Sequence, residues 1–170
     1  MMKAIDLVPL DELKVVYFDV DGVLSIPRYP LGKDNKIIPF AEIEKWSPFV
    51  NNNVDAYNMC FAPTAIIEWM KKLKKHNIII KTLTASIDPE KPSKTKFIKT
   101  FYSDYISDEN IIIVPNTSDK ITTLLNEQTK LNLDPFEMAL VEDNHYVLFD
   151  VNKYGFRGIH VSWFLDTIEN

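Results

Sequence analysis

The sequence predicts an α/β fold in which a parallel sheet is covered by helices on both faces. Five short apolar runs, rich in β-branched residues, lack the alternation of a half-exposed strand, which indicates strands buried on both sides. Segments with helical periodicity lie between these runs, and strands that alternate with helices favour a parallel sheet. The five runs are Val15–Phe18, 78–80 with Leu83, Ile111–Val114, 139–141 and 158–161.

The predicted helices show the spacing of apolar residues that is typical of amphipathic helices. In the second of them, Phe97, Ile98 and Phe101 form the predicted buried face. The last one runs up to Gly155, a residue that favours helix ends. The four helices cover residues 63–76, 90–102, 119–130 and 146–154.

The interval 25–62 interrupts this alternation. It contains four prolines and many aromatic residues, and it is too long for a plain loop in a small domain. We therefore expect a single domain over residues 1–170, with residues 25–62 forming a small cap inserted after the first strand. We expect most of its aromatic residues to form a small core of the insertion itself, with Trp46 and Tyr57 as the best candidates to face a site.

Composition limits the classes of partner. The chain has 170 residues, a net charge of −5 and a single cysteine, Cys60. The negative charge disfavours nonspecific binding of nucleic acid polymers, and one cysteine allows no intrachain disulfide. There is neither a signal-peptide pattern nor an apolar run of about 20 residues that could span a membrane. We expect a cytoplasmic protein that binds no membrane and exists as a monomer or homodimer.

The first apolar run leads directly into Asp19, Val20, Asp21 and Gly22. Two carboxylates at positions i and i+2 can hold a hard cation through oxygen ligands. They can also divide acid and base roles, because neighbouring acids push their pKa values apart. An isolated motif of this kind is more often a polar turn, so its meaning depends on the residues at the ends of the other strands.

Chemically useful side chains lie after the next three runs as well. The second run ends at Thr84, Ala85 and Ser86, where a hydroxyl and backbone amides can bind phosphate oxygens. Lys120 follows the third run at a helix start, where the helix dipole disfavours a cation. Glu142 and Asp143 follow the fourth run as adjacent acids. Because the carboxyl ends of parallel strands share one edge, these groups should converge on a site suited to phosphoryl transfer.

With these motifs in place, the chain resembles the haloacid dehalogenase (HAD) superfamily. Residues 16–24, Val-Tyr-Phe-Asp-Val-Asp-Gly-Val-Leu, match the first motif of that family residue for residue. Residues 83–86 resemble its second motif, Lys120 its third, residues 140–144 its fourth, and residues 155–159 its closing turn and strand. The resemblance spans nearly the whole chain. It implies a Rossmann-like three-layer sandwich with a sheet of order 5-4-1-2-3.

The resemblance also implies roles for the candidate residues. Asp19 would be the nucleophile that forms an aspartyl-phosphate, and Asp21 would be the acid and then the base. Lys120 would offset the charge that accumulates around Asp19. Thr84, with Ala85 and Ser86, would bind the phosphate group.

A magnesium ion is the cofactor that the resemblance implies. Asp19, the backbone carbonyl of Asp21, and Asp143 would hold it. Glu142 would be a direct ligand or would orient a metal-bound water. The family often has Gly or Asp at the position of Glu142, so this residue departs from the pattern.

Within the superfamily, the second acid Asp21 favours phosphatases and phosphomutases, because dehalogenases lack it. We expect a magnesium-dependent phosphatase that hydrolyses a phosphate ester of a small metabolite. Residues 83–86, with Lys94 and Phe97, resemble deoxyribonucleotidase-like proteins, which makes a nucleotide one candidate substrate. Two alternatives stay open: a phosphomutase of the same superfamily, and a phosphorylatable receiver or non-catalytic signalling module. In receivers the acid pair comes first in the chain and the lysine last, which is not the order seen here.

Overall fold

The computed structural model describes residues 10–27, 57 and 60–165 of the chain. Its strands are β1 (Val15–Phe18), β2 (Ile26–Pro27), β3 (Cys60–Phe61), β4 (Ile79–Ala85), β5 (Ile111–Val114), β6 (Met138–Glu142) and β7 (Arg157–His160). Its α-helices are α1 (Thr64–Lys75), α2 (Lys91–Tyr102), α3 (Asp119–Leu131), α4 (His145–Lys153) and α5 (Ser162–Leu165). Two turns of 3-10 helix, Asp108–Asn110 and Pro135–Glu137, precede β5 and β6.

The main sheet is parallel and has the order β5-β4-β1-β6-β7. Its central strand is β1, whose last residue Phe18 pairs with Thr82 of β4 and with Val141 of β6. Counted among the five strands of this sheet alone, the order is 5-4-1-2-3, as expected from the sequence. The ends of β4 and β6 therefore flank the segment that comes after β1.

Alternate side chains of β1 enter two separate cores, one on each face of the sheet. Val16 and Phe18 belong to the core that contains the buried residues of α1 and α2. Val15 and Tyr17 belong to the core beneath α3 and α4. This arrangement of helices, sheet and helices is the three-layer sandwich that the sequence predicts, and it explains why β1 is apolar at every position.

The second predicted strand is β4, which runs to Ala85 through Lys81, whose buried ammonium group is paired with Glu127 of α3. One detail differs from the sequence prediction. In α2 the predicted buried face is wrong at Phe101, which is 45% exposed, whereas Tyr102 is fully buried. The Tyr102 hydroxyl donates to the Leu24 carbonyl oxygen at 2.6 Å, which fixes α2 against the segment after β1.

The two ends of the inserted interval lie together, because β2 and β3 form an antiparallel pair. Most of the predicted cap, including Trp46, lies outside the described residues. Between β2 and β3, Tyr57 alone is described. Within the described part of the chain, no helix has the length and apolar character needed to cross a membrane.

Candidate active site

The candidate site lies at the carboxyl edge of the sheet, where β1, β4 and β6 end. Asp19 follows β1 directly, and its backbone N–H donates to the Val141 carbonyl oxygen at 2.9 Å. This bond continues the ladder between β1 and β6, so Asp19 is placed beside the end of β6, where Glu142 is the last residue. Thr84 stands near the end of β4, and Lys120 lies in the first turn of α3.

The centre of the site is a buried group of Asp19, Lys120 and Glu142. The Lys120 Nζ atom lies 2.6 Å from Glu142 Oε2 and 3.0 Å from Asp19 Oδ1. All three side chains are less than a tenth exposed. One ammonium group thus faces two carboxylates in a region from which water is largely excluded.

The pKa values of these groups reflect burial and a shortage of positive charge. Burial raises the pKa of Glu142 to about 8; the charge of Asp19 adds to this effect, and Lys120 opposes it. Burial likewise raises the pKa of Asp19, although Lys120 and the Thr84 hydroxyl favour its ionised form. Burial acts to lower the pKa of Lys120, but the charges of Asp19 and Glu142 outweigh it and the pKa is raised.

The residues present suit a divalent cation. Asp19, Glu142 and Asp143 each offer one oxygen atom, and these atoms lie within 4.8 Å of one another. The Asp19 Oδ1 atom is buried. The Lys120 Nζ atom lies 3.0 Å from it, but none of the described residues donates a hydrogen bond of acceptable geometry to it. Carboxylate oxygens are the ligands that Mg²⁺ prefers in proteins. An unsatisfied oxygen within a cluster of acids therefore favours a magnesium ion here.

Gly22 provides the space for this acidic cluster. Its φ angle is +74°, and a Cβ atom at this position would lie 2.7 Å from Asp143 Cγ. Both the backbone conformation and the close approach of the Asp143 side chain require glycine. The Asp-x-Asp-Gly motif thus ends in glycine because the fourth motif packs directly over it.

The three predicted phosphate-binding residues differ in what they offer. Thr84 is fully buried, and its hydroxyl acts on Asp19 to favour the ionised carboxylate. The Ala85 carbonyl oxygen accepts a hydrogen bond from Lys94 Nζ at 2.6 Å. The Ser86 backbone N–H donates to the Val114 carbonyl oxygen at 2.9 Å, and its hydroxyl donates to Glu90 at 2.7 Å. Thr84 is thus the one of the three beside Asp19, and Ser86 already bonds within the protein.

Asp21 is held at both of its side-chain oxygen atoms. The Tyr57 hydroxyl donates to Asp21 Oδ1 at 2.6 Å, and Lys94 Nζ donates to Asp21 Oδ2 at 2.7 Å. The Asp21 side chain is 52% exposed, so it remains accessible from solvent. Its carboxylate is therefore both fixed in orientation and open to a ligand.

Sequence reasoning named Tyr57 as a candidate to face the site. It named Lys94 only for the resemblance to deoxyribonucleotidase-like proteins, and it missed Glu90. Lys94 lies on the same helical face as Phe97 and Ile98, so its position in the buried stripe of α2 was the available signal. Glu90 precedes α2, accepts a hydrogen bond from the Ser86 hydroxyl at 2.7 Å, and lies 3.1 Å from the Tyr57 hydroxyl. Nothing in its sequence context separates it from an ordinary acid at a helix start.

No family model and no curated protein matches this sequence. Solved structures match its fold. A 3-deoxy-D-manno-octulosonate 8-phosphate phosphatase from Moraxella catarrhalis, in complex with magnesium, phosphate and KDO, is 18% identical with a TM-score of 0.51. The match covers 86% of this chain and 67% of that one.

A HAD-family enzyme from Bacteroides thetaiotaomicron, in complex with magnesium and inorganic phosphate, is 14% identical with a TM-score of 0.55. That match covers 87% of this chain and 93% of the enzyme. A hypothetical protein from Xanthomonas campestris is 12% identical over 94% of this chain and 73% of its own, with a TM-score of 0.53. The fold is that of the HAD-family enzymes, which confirms at the level of the fold the resemblance drawn from the sequence.

Proposed function

We propose that the chain is a magnesium-dependent phosphatase that hydrolyses phosphomonoesters through an aspartyl-phosphate on Asp19. The observation that carries this proposal is the buried contact of Asp19 with Lys120 beside two further acids, Glu142 and Asp143. A nucleophilic carboxylate for phosphoryl transfer needs compensating positive charge around it, because the incoming phosphate is itself an anion. The fold shared with HAD-family enzymes supports the same assignment.

In the proposed reaction, an Asp19 oxygen attacks phosphorus, and the bond from phosphorus to the ester oxygen breaks. Asp21 gives its proton to the departing oxygen, so the alcohol leaves neutral. Asp21 then takes a proton from water as that water attacks phosphorus, which releases inorganic phosphate and restores Asp19. The exposed position of Asp21 beside buried Asp19 suits this exchange with leaving group and solvent.

A bound magnesium ion would neutralise charge on the phosphoryl oxygens and on the acids around it. Asp19, Asp143 and the backbone carbonyl of Asp21 are the proposed ligands, with Glu142 as a ligand or as an acceptor for a metal-bound water. Five carboxyl groups surround the site among the described residues, against the ammonium groups of two lysines. This imbalance is the physical reason for expecting a divalent cation.

Thr84 and Lys120 are the proposed phosphate contacts from the protein. The Thr84 hydroxyl lies by Asp19 at the end of β4, and the Lys120 Nζ atom of α3 lies 3.0 Å from Asp19 Oδ1. The phosphate would thus be held between the ends of β1 and β4. We propose a small phosphorylated metabolite as substrate, with nucleotides and sugar phosphates as the classes to compare.

The test is magnesium-dependent release of p-nitrophenol from its phosphate ester. We expect activity in the wild type that EDTA abolishes and magnesium restores, and a loss of at least about 10³-fold in Asp19→Asn. Asp150→Asn is the matched control, because Asp150 is an aspartate on the surface of α4 that pairs with Lys153. Activity that survives Asp19→Asn in a preparation free of other phosphatases contradicts the proposal.

A panel of nucleotide and sugar phosphates, compared by kcat/KM, addresses the substrate. We expect one class to exceed p-nitrophenyl phosphate by at least tenfold, since a cognate leaving group adds binding energy in the transition state. A panel in which no ester exceeds the artificial one contradicts a small metabolite as substrate and leaves the hydrolytic assignment intact.

A further inference from the structure

The Asp21 carboxylate is held at both of its oxygens although its side chain is half exposed. A carboxylate in that position ordinarily rotates among several rotamers. Here Tyr57 donates to one oxygen and Lys94 to the other, at 2.6 and 2.7 Å. The two donors come from segments far apart in the chain, so together they fix the plane and the direction of the carboxylate.

Lys94 has an unusual position for a lysine. It is fully buried in the first turns of α2, and its Nζ atom reaches the Ala85 carbonyl oxygen at 2.6 Å and the Thr84 hydroxyl at 3.3 Å. Burial of a cation is unfavourable unless acceptors surround it. Asp21 and, at 3.6 Å, Glu90 supply the opposite charge. Lys94 thus joins the end of β4 to the segment after β1.

Tyr57 completes the arrangement from the inserted interval. Its hydroxyl has a single proton and lies 2.6 Å from Asp21 and 3.1 Å from Glu90, so Asp21 is the better placed acceptor. The backbone N–H of Tyr57 donates to the Ser93 hydroxyl at 3.1 Å, and its ring packs against Phe97. The insertion therefore contacts Asp21 through a residue anchored on α2.

We propose that Lys94 and Tyr57 are positioning residues that aim the Asp21 carboxyl group at the leaving oxygen of the ester. This inference rests on the proposed function, in which Asp21 is the general acid. In that proposal Asp19 and Lys120 act directly on the phosphoryl group, whereas Lys94 and Tyr57 act through Asp21. Loss of either donor frees the Asp21 carboxylate to rotate, and a misdirected acid transfers its proton poorly.

The test uses two esters that differ in their need for an acid. Dinitrophenyl phosphate has a leaving group that departs without protonation, whereas phenyl phosphate needs a proton on its oxygen. The ratio kcat/KM reports the steps up to departure of the alcohol. We expect Lys94→Met to lower kcat/KM about 10- to 100-fold for phenyl phosphate but less than about threefold for dinitrophenyl phosphate.

Lys99→Met is the matched control, since Lys99 lies on the same helix but pairs with Asp108 at the surface. We expect it to leave both esters unchanged. Tyr57→Phe removes one hydroxyl and no charge. It tests the positioning of Asp21 independently if Lys94→Met does not fold. We expect Tyr57→Phe also to lower kcat/KM more for phenyl phosphate than for dinitrophenyl phosphate, but by a smaller factor than Lys94→Met does.

Equal losses on both esters, or no loss on either, in a folded variant overturn the positioning role while leaving the phosphatase assignment intact. A wild-type protein that hydrolyses neither ester in the presence of magnesium overturns the proposed function, and this inference with it. The two failures are therefore distinguished by the wild-type measurement alone.

Discussion

The ammonium group of Lys120 and the carboxylate of Glu142 form an ion pair with an N–O distance of 2.6 Å at the carboxyl edge of the sheet. Neither side chain is more than 3% exposed. The desolvation cost of such a pair is large, so the pair adds little net stability by itself. Its effect is to hold Lys120 where it also reaches Asp19.

Removal of the Lys120 cation should destabilise the metal-free protein. At a pH above about 8, where Glu142 is ionised, Lys120→Met leaves Asp19 and Glu142 buried with no counter-charge, and we expect the free energy of unfolding to fall by about 3–5 kcal/mol. Urea unfolding in EDTA measures this. The double variant Lys120→Met with Glu142→Met removes both partners, and we expect it to regain part of the loss. A double variant that is less stable than the single one contradicts this role of the pair.

Two glycines with positive φ, when replaced by alanine, allow the effect of backbone strain to be measured apart from the effect of crowding the acidic cluster. Gly22 and Gly155 have φ angles of +74° and +83°, so alanine at either position should cost about 1 kcal/mol in stability. Only at Gly22 does the new methyl group collide with Asp143; at Gly155 the nearest atom, Pro135 Cβ, lies at 3.4 Å. We expect Gly22→Ala, but not Gly155→Ala, to abolish the rise in Tm that magnesium produces. An equal rise in both variants argues against a metal site that includes Asp143.

The buried pair of Lys81 and Glu127 should make the free energy of unfolding depend on pH. Burial acts to raise the pKa of Glu127, but Lys81 and Lys130 outweigh burial and hold it below its usual value of 4.5. Because the folded-state pKa is the lower one, this stabilisation is present above the unfolded-state pKa and is lost as the pH falls through the folded-state pKa.

We therefore expect Glu127→Gln to be less stable than the wild type at neutral pH, with a difference that shrinks as the pH falls below about 4.5. Urea unfolding at a series of pH values measures it. Lys130→Met is the control, because that partner is 70% exposed and its removal should change little. A difference in unfolding free energy that stays constant across the acid range contradicts a lowered pKa of Glu127 in the folded protein.

The short helix α5 is held to the sheet by Phe164. Its ring packs against Trp69 of α1 at 4.9 Å and against Phe18 of β1 at 6.0 Å between centroids. We expect Phe164→Ala to lower the free energy of unfolding by about 3–5 kcal/mol through the lost burial and the cavity left behind. The neighbouring Trp163 is 40% exposed, and Trp163→Ala should cost much less. Similar losses in the two variants contradict this packing.

The sequence was sufficient for the parts of the molecule that depend on local pattern. Buried strands, helical stripes and chain order predicted the sheet, and the shared edge of parallel strands predicted that Asp19, Lys120 and Glu142 would meet. The same reasoning placed Thr84 beside them.

Sequence was insufficient where a residue acts through partners distant in the chain. Lys94 and Lys81 are buried lysines, and each is held by acceptors on other elements that no spacing rule relates to it. The missed network around Asp21 has this same origin. A charge in an apolar stripe is the signal that, in both cases, a partner must exist.

The central claim, that Asp19 accepts the phosphoryl group, can be tested by trapping the aspartyl-phosphate. Asp21→Asn should lack the base for its hydrolysis, and dinitrophenyl phosphate should still phosphorylate this variant because its leaving group needs no acid. Borohydride reduction then converts a phosphorylated aspartate to homoserine, which peptide mass spectrometry locates. We predict homoserine at position 19 only when both magnesium and the ester are present. Modification at another aspartate, or none at position 19 while the wild-type protein hydrolyses the ester, contradicts the claim.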